Sequence, residues 1–171
     1  MAWIRSLGGN LMVLPAAALA EWPGSYGPGG STGVAEEQTP YWAVSEQVTD
    51  YAGTFGVAGR EALVLANGPS PTAFVPAHRL FVQQLATTPG VDPIAGAVAA
   101  LPAVEWEQEV LWACDGDGVL FDSAAYGPAV TPEQTLPVPL EAGKYAVRSA
   151  YREPDDSSPL WMVLTQLVPA A

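Results

Sequence analysis

Six carboxylates fall between Glu105 and Asp122, with no basic residue among them. Acids at that density admit three chemistries. Two carboxyls about 5–5.5 Å apart across a sugar hydrolyse a glycosidic bond, one as acid and one as nucleophile. Acids at alternate positions of a glycine-containing loop hold calcium. A field of ionised acids meets the cations of a partner.

The spacing weighs against the first two. Glu105, Glu107 and Glu109 are next-nearest neighbours on a predicted strand, so successive members point the same way, about 6.7 Å apart. Nothing in their flanks desolvates one relative to another, as a division into acid and base requires. Asp115 and Asp117 match the first and third ligands of a calcium loop, but Val119 and Leu120 fall where the fifth ligand and the glycine belong. His78 is the only histidine and Cys114 the only cysteine, so carboxylates with no helpful spacing would have to complete a zinc site. No Gly-x-Ser-x-Gly elbow is present. Cys114, on an apolar face beside acids, has its thiolate disfavoured rather than activated. The sequence therefore points to no catalytic residue, no metal ligand and no cofactor.

The elements that must position these acids follow from period. Val104, Trp106, Val110 and Trp112 alternate with the glutamates, which predicts a strand with one wet and one buried face. Asp115-Gly116-Asp117-Gly118 reads as a turn and Val119–Phe121 as the returning strand of a hairpin. A second strand, 144–152, places Lys144, Arg148 and Arg152 on one face and Tyr145, Val147 and Tyr151 on the other. Were the two strands neighbours, cross-strand pairs worth about 0.2–1 kcal/mol each would partly neutralise Glu105, Glu107 and Glu109. Asp115, Asp117 and Asp122, at the hairpin tip, have no internal partner in sight. They are expected to matter more to a cationic partner than the glutamates.

The remaining pattern is also strand-rich. Trp3–Ser6 and Leu11–Leu14 read as strands around Gly8-Gly9-Asn10, with Pro15 at the first position of a short helix. The same region has an alternative reading as a secretory leader, with Arg5, an apolar run over Leu11–Ala20 and a cleavage site at Ala18-Leu19-Ala20. The single positive charge and the Gly8-Gly9-Asn10 interruption favour folded structure. Residues 23–35 form a Gly/Pro surface loop without a phosphate-cradling motif. Tyr41–Val44 reads as a short strand. Tyr51–Val57 and Ala62–Ala66 form a hairpin about Ala58-Gly59-Arg60-Glu61, and Arg79–Ala86 reads as another strand. Asp92-Pro93 starts a helix that Pro102 closes, its small residues suited to close packing. Thr131–Pro139 is an edge or loop, and Leu160–Val168, apolar on both faces, a central strand. The sum is one α+β domain over 1–171, mainly an antiparallel sheet of β-hairpins with one or two short helices packed on it.

Six Lys+Arg stand against eighteen Asp+Glu, a formal net charge of -12. That balance excludes nucleic acid and anionic membrane as partners, since both would be repelled, and favours a basic one. Between Arg79 and Lys144 there are nine acids and no base. A lone cysteine excludes an internal disulfide and fits a reducing, cytoplasmic setting.

Several segments carry a resemblance. Trp3-Ile4-Arg5-Ser6-Leu7-Gly8-Gly9, an aliphatic run into Pro15 and a closing Trp22 resemble the opening of the immunity protein 21 family of bacterial polymorphic toxin systems. Glu61–Leu65, Val119–Asp122 and Gly143-Lys144-Tyr145-Ala146-Val147-Arg148 are similar too. The resemblance implies a cytoplasmic protein that binds and neutralises a cognate toxin and has no catalysis of its own. A nuclease toxin, with a basic cleft for phosphates, would suit the acidic surface. The alternatives from the residues alone are an exported acidic binding protein and a carboxylate-dependent hydrolase.

Overall fold

The structure is a computed structural model that describes residues 1–25, 39–66, 68–86, 89–154 and 159–170. Among the described residues, ten strands make two five-stranded antiparallel sheets, with short helices outside them. The strands are β1 (Leu11–Pro15), β2 (Ala52–Val57), β3 (Arg60–Leu65), β4 (Thr72–Val75), β5 (Leu80–Ala86), β6 (Gln108–Cys114), β7 (Gly118–Asp122), β8 (Leu136–Val138), β9 (Gly143–Arg152) and β10 (Trp161–Pro169). One sheet runs β2-β3-β1-β7-β8, the other β4-β5-β10-β9-β6.

The sheets pack face to face. Leu11, Val13, Leu63, Leu65 and Leu120 of the first meet Phe81, Trp112, Tyr145, Val147 and Leu167 of the second. The alternate residues are buried as well. Met12, Leu14, Val64 and Phe121 pack beneath Val44 of helix α1 (Pro40–Gln47) together with Trp22. Leu80, Val82, Met162 and Leu164 pack beneath Ala97 of helix α2 (Pro93–Ala100). Cover on both faces explains why β1 and the Met162–Leu164 part of β10 read as apolar runs.

Local chemistry fixes much of this. Ala58 and Gly59, both at positive φ (50° and 79°), make the two-residue turn between β2 and β3 that matches strand twist. Asp92 caps α2 by accepting from the Ile94 and Ala95 N–H groups. A Cβ on Gly96 would run into Leu160 Cδ1, so glycine there lets α2 sit close on its sheet. The α+β class with short helices on antiparallel sheet is thus as expected, in two sheets rather than one.

Five readings need correction. Tyr41–Val44 lies in α1, not a strand: Thr39 Oγ1 accepts from the Trp42 N–H at 3.2 Å and Pro40 opens the helix, the same start signal as Asp92-Pro93. Trp3–Ser6 forms only a single bridge, Ile4 to Thr72, because the neighbouring groups bond elsewhere: Ser6 Oγ to Gly9 O and the Leu7 N–H to Asp122. Pro15 ends β1 and precedes a 3-10 helix, Ala16–Glu21. The Asp115–Gly118 turn joins no hairpin, since β6 and β7 belong to different sheets. Trp106 and Trp112 do not share a face: Trp112 is in the inter-sheet core and Trp106 packs with the α2 cluster. Within the 23–35 loop, residues 26–35 lie outside the described residues.

Candidate partner-binding surface

Strand β6 is the edge of its sheet, paired on one side with β9. Side-chain hydrogen bonds also tie it to β2 and β3 of the other sheet. Gln108 Nε2 donates to Ala52 O at 2.9 Å while Gln108 Oε1 accepts from the Ala52 N–H at 3.0 Å. Trp112 Nε1 donates to Glu61 O, and the Ala113 N–H to Glu61 Oε2. On β6 these contacts occupy the Ala113 N–H, and on β2, the edge of the other sheet, the Ala52 N–H and C=O, groups that an edge strand would otherwise offer to another chain.

The acidic residues sort themselves along this seam. Glu107 accepts from Tyr51 Oη at 2.7 Å and from the Tyr151 N–H at 3.1 Å. That carboxylate, first by its hydrogen bond and then with burial, pushes the Tyr51 phenol up to about 12. Asp115 pairs with Arg60 at 3.3 Å, and Arg60 also reaches Glu21 at 3.5 Å. Asp117 accepts from the Leu140 N–H at 2.9 Å. Asp122 accepts from the Leu7 N–H at 2.7 Å and the Ala124 N–H at 2.9 Å. All three turn carboxylates therefore have internal partners, and the premise that they project unpartnered from a hairpin tip fails.

Glu105 and Glu109 differ. Both are exposed, and among the described residues neither carboxylate has a hydrogen-bond or ion-pair partner. The expected cross-strand neutralisation comes close. β6 and β9 are neighbours and Glu109 lies opposite Arg148. Arg148 instead donates through Nε and Nη2 to Gln166 Oε1, at 3.2 and 2.7 Å, and its guanidinium sits 4.5 Å from the centre of the Trp106 ring. Lys144 stands opposite Ala113, not a glutamate.

Glu105 and Glu107 border a small cleft of about 310 Å³ with Tyr151, Arg152 and Glu153. Both carboxylates are exposed, so neither is desolvated relative to the other. No group of three or more His, Cys, Asp or Glu suited to a metal occurs among the described residues. Cys114 is buried, and burial pushes its thiol up, as its apolar face predicts.

A family model described as Immunity protein 21 matches residues 2–158. The chain belongs to the immunity protein 21 family. Neither the curated proteins nor the solved structures gave a match. Family membership supports an immunity role and implies a cognate toxin as partner.

The residues that carry the family resemblance mostly hold the framework. Trp22 is buried and donates to Ser123 O at 2.8 Å. Gly9 leaves room for the Tyr41 ring. Tyr145 is buried beside Trp112 and donates to Glu141 O at 2.9 Å. Arg148 ties β9 to β10 through Gln166. Gly8 and Gly143, both at positive φ, precede β1 and open β9. Trp3, partly exposed, lines a groove with Leu7 and Asp122. Leu111 was missed by the sequence reading. It continues the odd-numbered series of Glu105, Glu107 and Glu109, and an apolar residue on that wet face was the signal.

Proposed function

We propose that this immunity protein binds and neutralises a cognate polymorphic toxin in the bacterial cytoplasm, with no reaction of its own. An acidic surface centred on β6 faces a basic toxin site. One observation carries the reading beyond the family assignment: Glu105 and Glu109 are exposed and without a partner among the described residues, on a chain of net charge -12. Unspent carboxylates attract a cationic surface over distance and pair with it on contact. A nuclease, whose cleft is built for phosphates, is the toxin class whose charge fits best. Asp115, whose surface ion pair with Arg60 is worth only about 0–1 kcal/mol, can be recruited at small cost. Asp117, Asp122 and Glu107, which hold backbone groups, serve the fold first.

Two other readings lose support. As an exported binding protein the chain would lose Leu11–Ala20, and with it β1, the middle strand of its sheet. As a hydrolase it would need one acid desolvated relative to another, and the glutamates beside the small cleft, Glu105 and Glu107, are both exposed. The test is titration of the purified protein with the inactivated toxin encoded beside its gene, at rising salt. We expect a complex whose association rate falls as salt rises; no complex at any salt removes the proposal.

A further inference from the structure

The outer face of the β4-β5-β10-β9-β6 sheet is only half covered. Helix α2 shields its β4-β5 side and the first half of β10, together with Trp106. Beyond that, a cross-strand row lies open: Leu111 of β6 stands opposite Ala146 of β9, which stands opposite Val168 of β10. All three point away from the inter-sheet core, because their chain neighbours Trp112, Val147 and Leu167 point into it. Leu111 is 66% exposed, and Ala146 and Val168 are half-buried. A leucine at the β6 end of an apolar row, with Glu109 and Lys144 beside it on the same face, has the form of an interface anchor at a polar border.

We propose that this row is the docking surface for the toxin, and that the toxin presents an apolar socket for Leu111 with a Lys or Arg at its edge over Glu109. This rests on the immunity reading above. The commitment to a cationic partner comes from charge. Glu109 lies on the same face, one row away from Leu111, and its natural cross-strand partner Arg148 is held by Gln166 and Trp106. The carboxylate is thus left for an incoming cation. Lys144, on the other flank opposite Ala113, restricts that cation to the Glu109 side and so sets orientation. A second copy of the chain is the poorer occupant, because it brings another net charge of -12.

The larger groove of about 510 Å³ beside Trp3 and Leu7 lacks this feature. Its carboxylates are engaged, Asp122 by two N–H groups and Glu133 by Thr131, whose hydrogen bond holds the Glu133 carboxyl below its usual range. Arg5 adds a positive charge to its wall.

The test is calorimetric titration of the full chain with the inactivated neighbouring toxin, comparing wild type, Leu111→Ala, Leu111→Ser, Glu109→Lys and Leu7→Ser. The Leu111 side chain is exposed, so its substitutions leave folding intact, checked by urea midpoint. We expect both Leu111 variants to weaken affinity about tenfold or more, Glu109→Lys to weaken it with a loss of salt dependence, and Leu7→Ser to change nothing. Wild-type binding that survives the Leu111 variants but is lost in Leu7→Ser overturns this surface and leaves the immunity reading standing. Absence of any wild-type complex overturns both. Self-association of the wild type that Leu111→Ser abolishes assigns the row to a second copy and likewise overturns the proposal.

Discussion

Replacing Glu105 and Glu109 together by Gln, and separately Asp115 and Asp117 together by Asn, separates acids that are free from acids that are in use. Each change removes charge and keeps shape. Neither glutamate carboxylate has a partner among the described residues, so the Gln pair should leave stability within about 0.5 kcal/mol of wild type. The Asn pair loses more. Asp115 gives up a 3.3 Å contact with Arg60 between side chains 54% and 39% exposed, worth about 0–1 kcal/mol. Asp117 gives up the charge on the acceptor for the Leu140 N–H, worth about 1 kcal/mol. Together that is about 1–2 kcal/mol, a fall in urea midpoint of roughly 0.5–1 M at an ordinary m-value. Binding should show the opposite order. Two carboxylates available to a cationic partner are worth about 1.5–3 kcal/mol, roughly 10- to 150-fold in Kd, while the Asn pair should move Kd by less than about fivefold. The assays are urea unfolding and calorimetric titration with the neighbouring toxin at low and high salt. An Asn pair that weakens binding more than the Gln pair, at unchanged stability, would show that the carboxylates without partners are not the ones that matter.

Three further outcomes follow from the contacts. Gln108→Ala leaves the Ala52 N–H and C=O without their partner and should cost about 2–4 kcal/mol in urea unfolding at constant m. Tyr51, held by Glu107 with its phenol at about 12 rather than 10.0, is an acid whose folded pKa lies above its unfolded one. It therefore contributes stability that is complete below pH 10 and lost as pH climbs toward 12, and Tyr51→Phe should flatten the fall of the melting temperature across that window. Deleting residues 1–20 removes β1 from between β3 and β7 and should give a chain without cooperative unfolding by circular dichroism, whereas removal of a mere leader would leave the melt unchanged.

Legibility tracked how local each determinant is. The Ala58-Gly59 turn and the Asp92-Pro93 cap lie within a few residues of what they control, and both were readable. Thr39-Pro40 carried the same information but was overlooked beside the aromatic pair Tyr41-Trp42, which suits a strand. The Asp115–Gly118 turn could not be assigned from its residues. Asp-Gly chemistry reverses a chain equally well within one sheet or between two, and only the distant partners, β9 for β6 and β1 for β7, decide. Alternation placed Glu109 and Trp112 correctly but failed at Trp106, where the chain leaves the β9 ladder. The roles of the acids were least legible. Asp122 is occupied by the Leu7 N–H, which is 115 residues away, and Arg148 prefers a glutamine and an indole to the glutamate across from it.

The place of β1 in its sheet has a consequence for synthesis. Leu11–Pro15 leaves the ribosome before either of its sheet neighbours, β3 and then β7, which ends at Asp122. At about 5–20 residues per second, β1 is exposed for roughly 5–20 s before its second partner exists. During that time an apolar strand with a bare edge invites other nascent chains or a chaperone. A cell that depends on this protein for protection has an interval, set by the order of strands along the chain, between starting each copy and having one whose sheet can close.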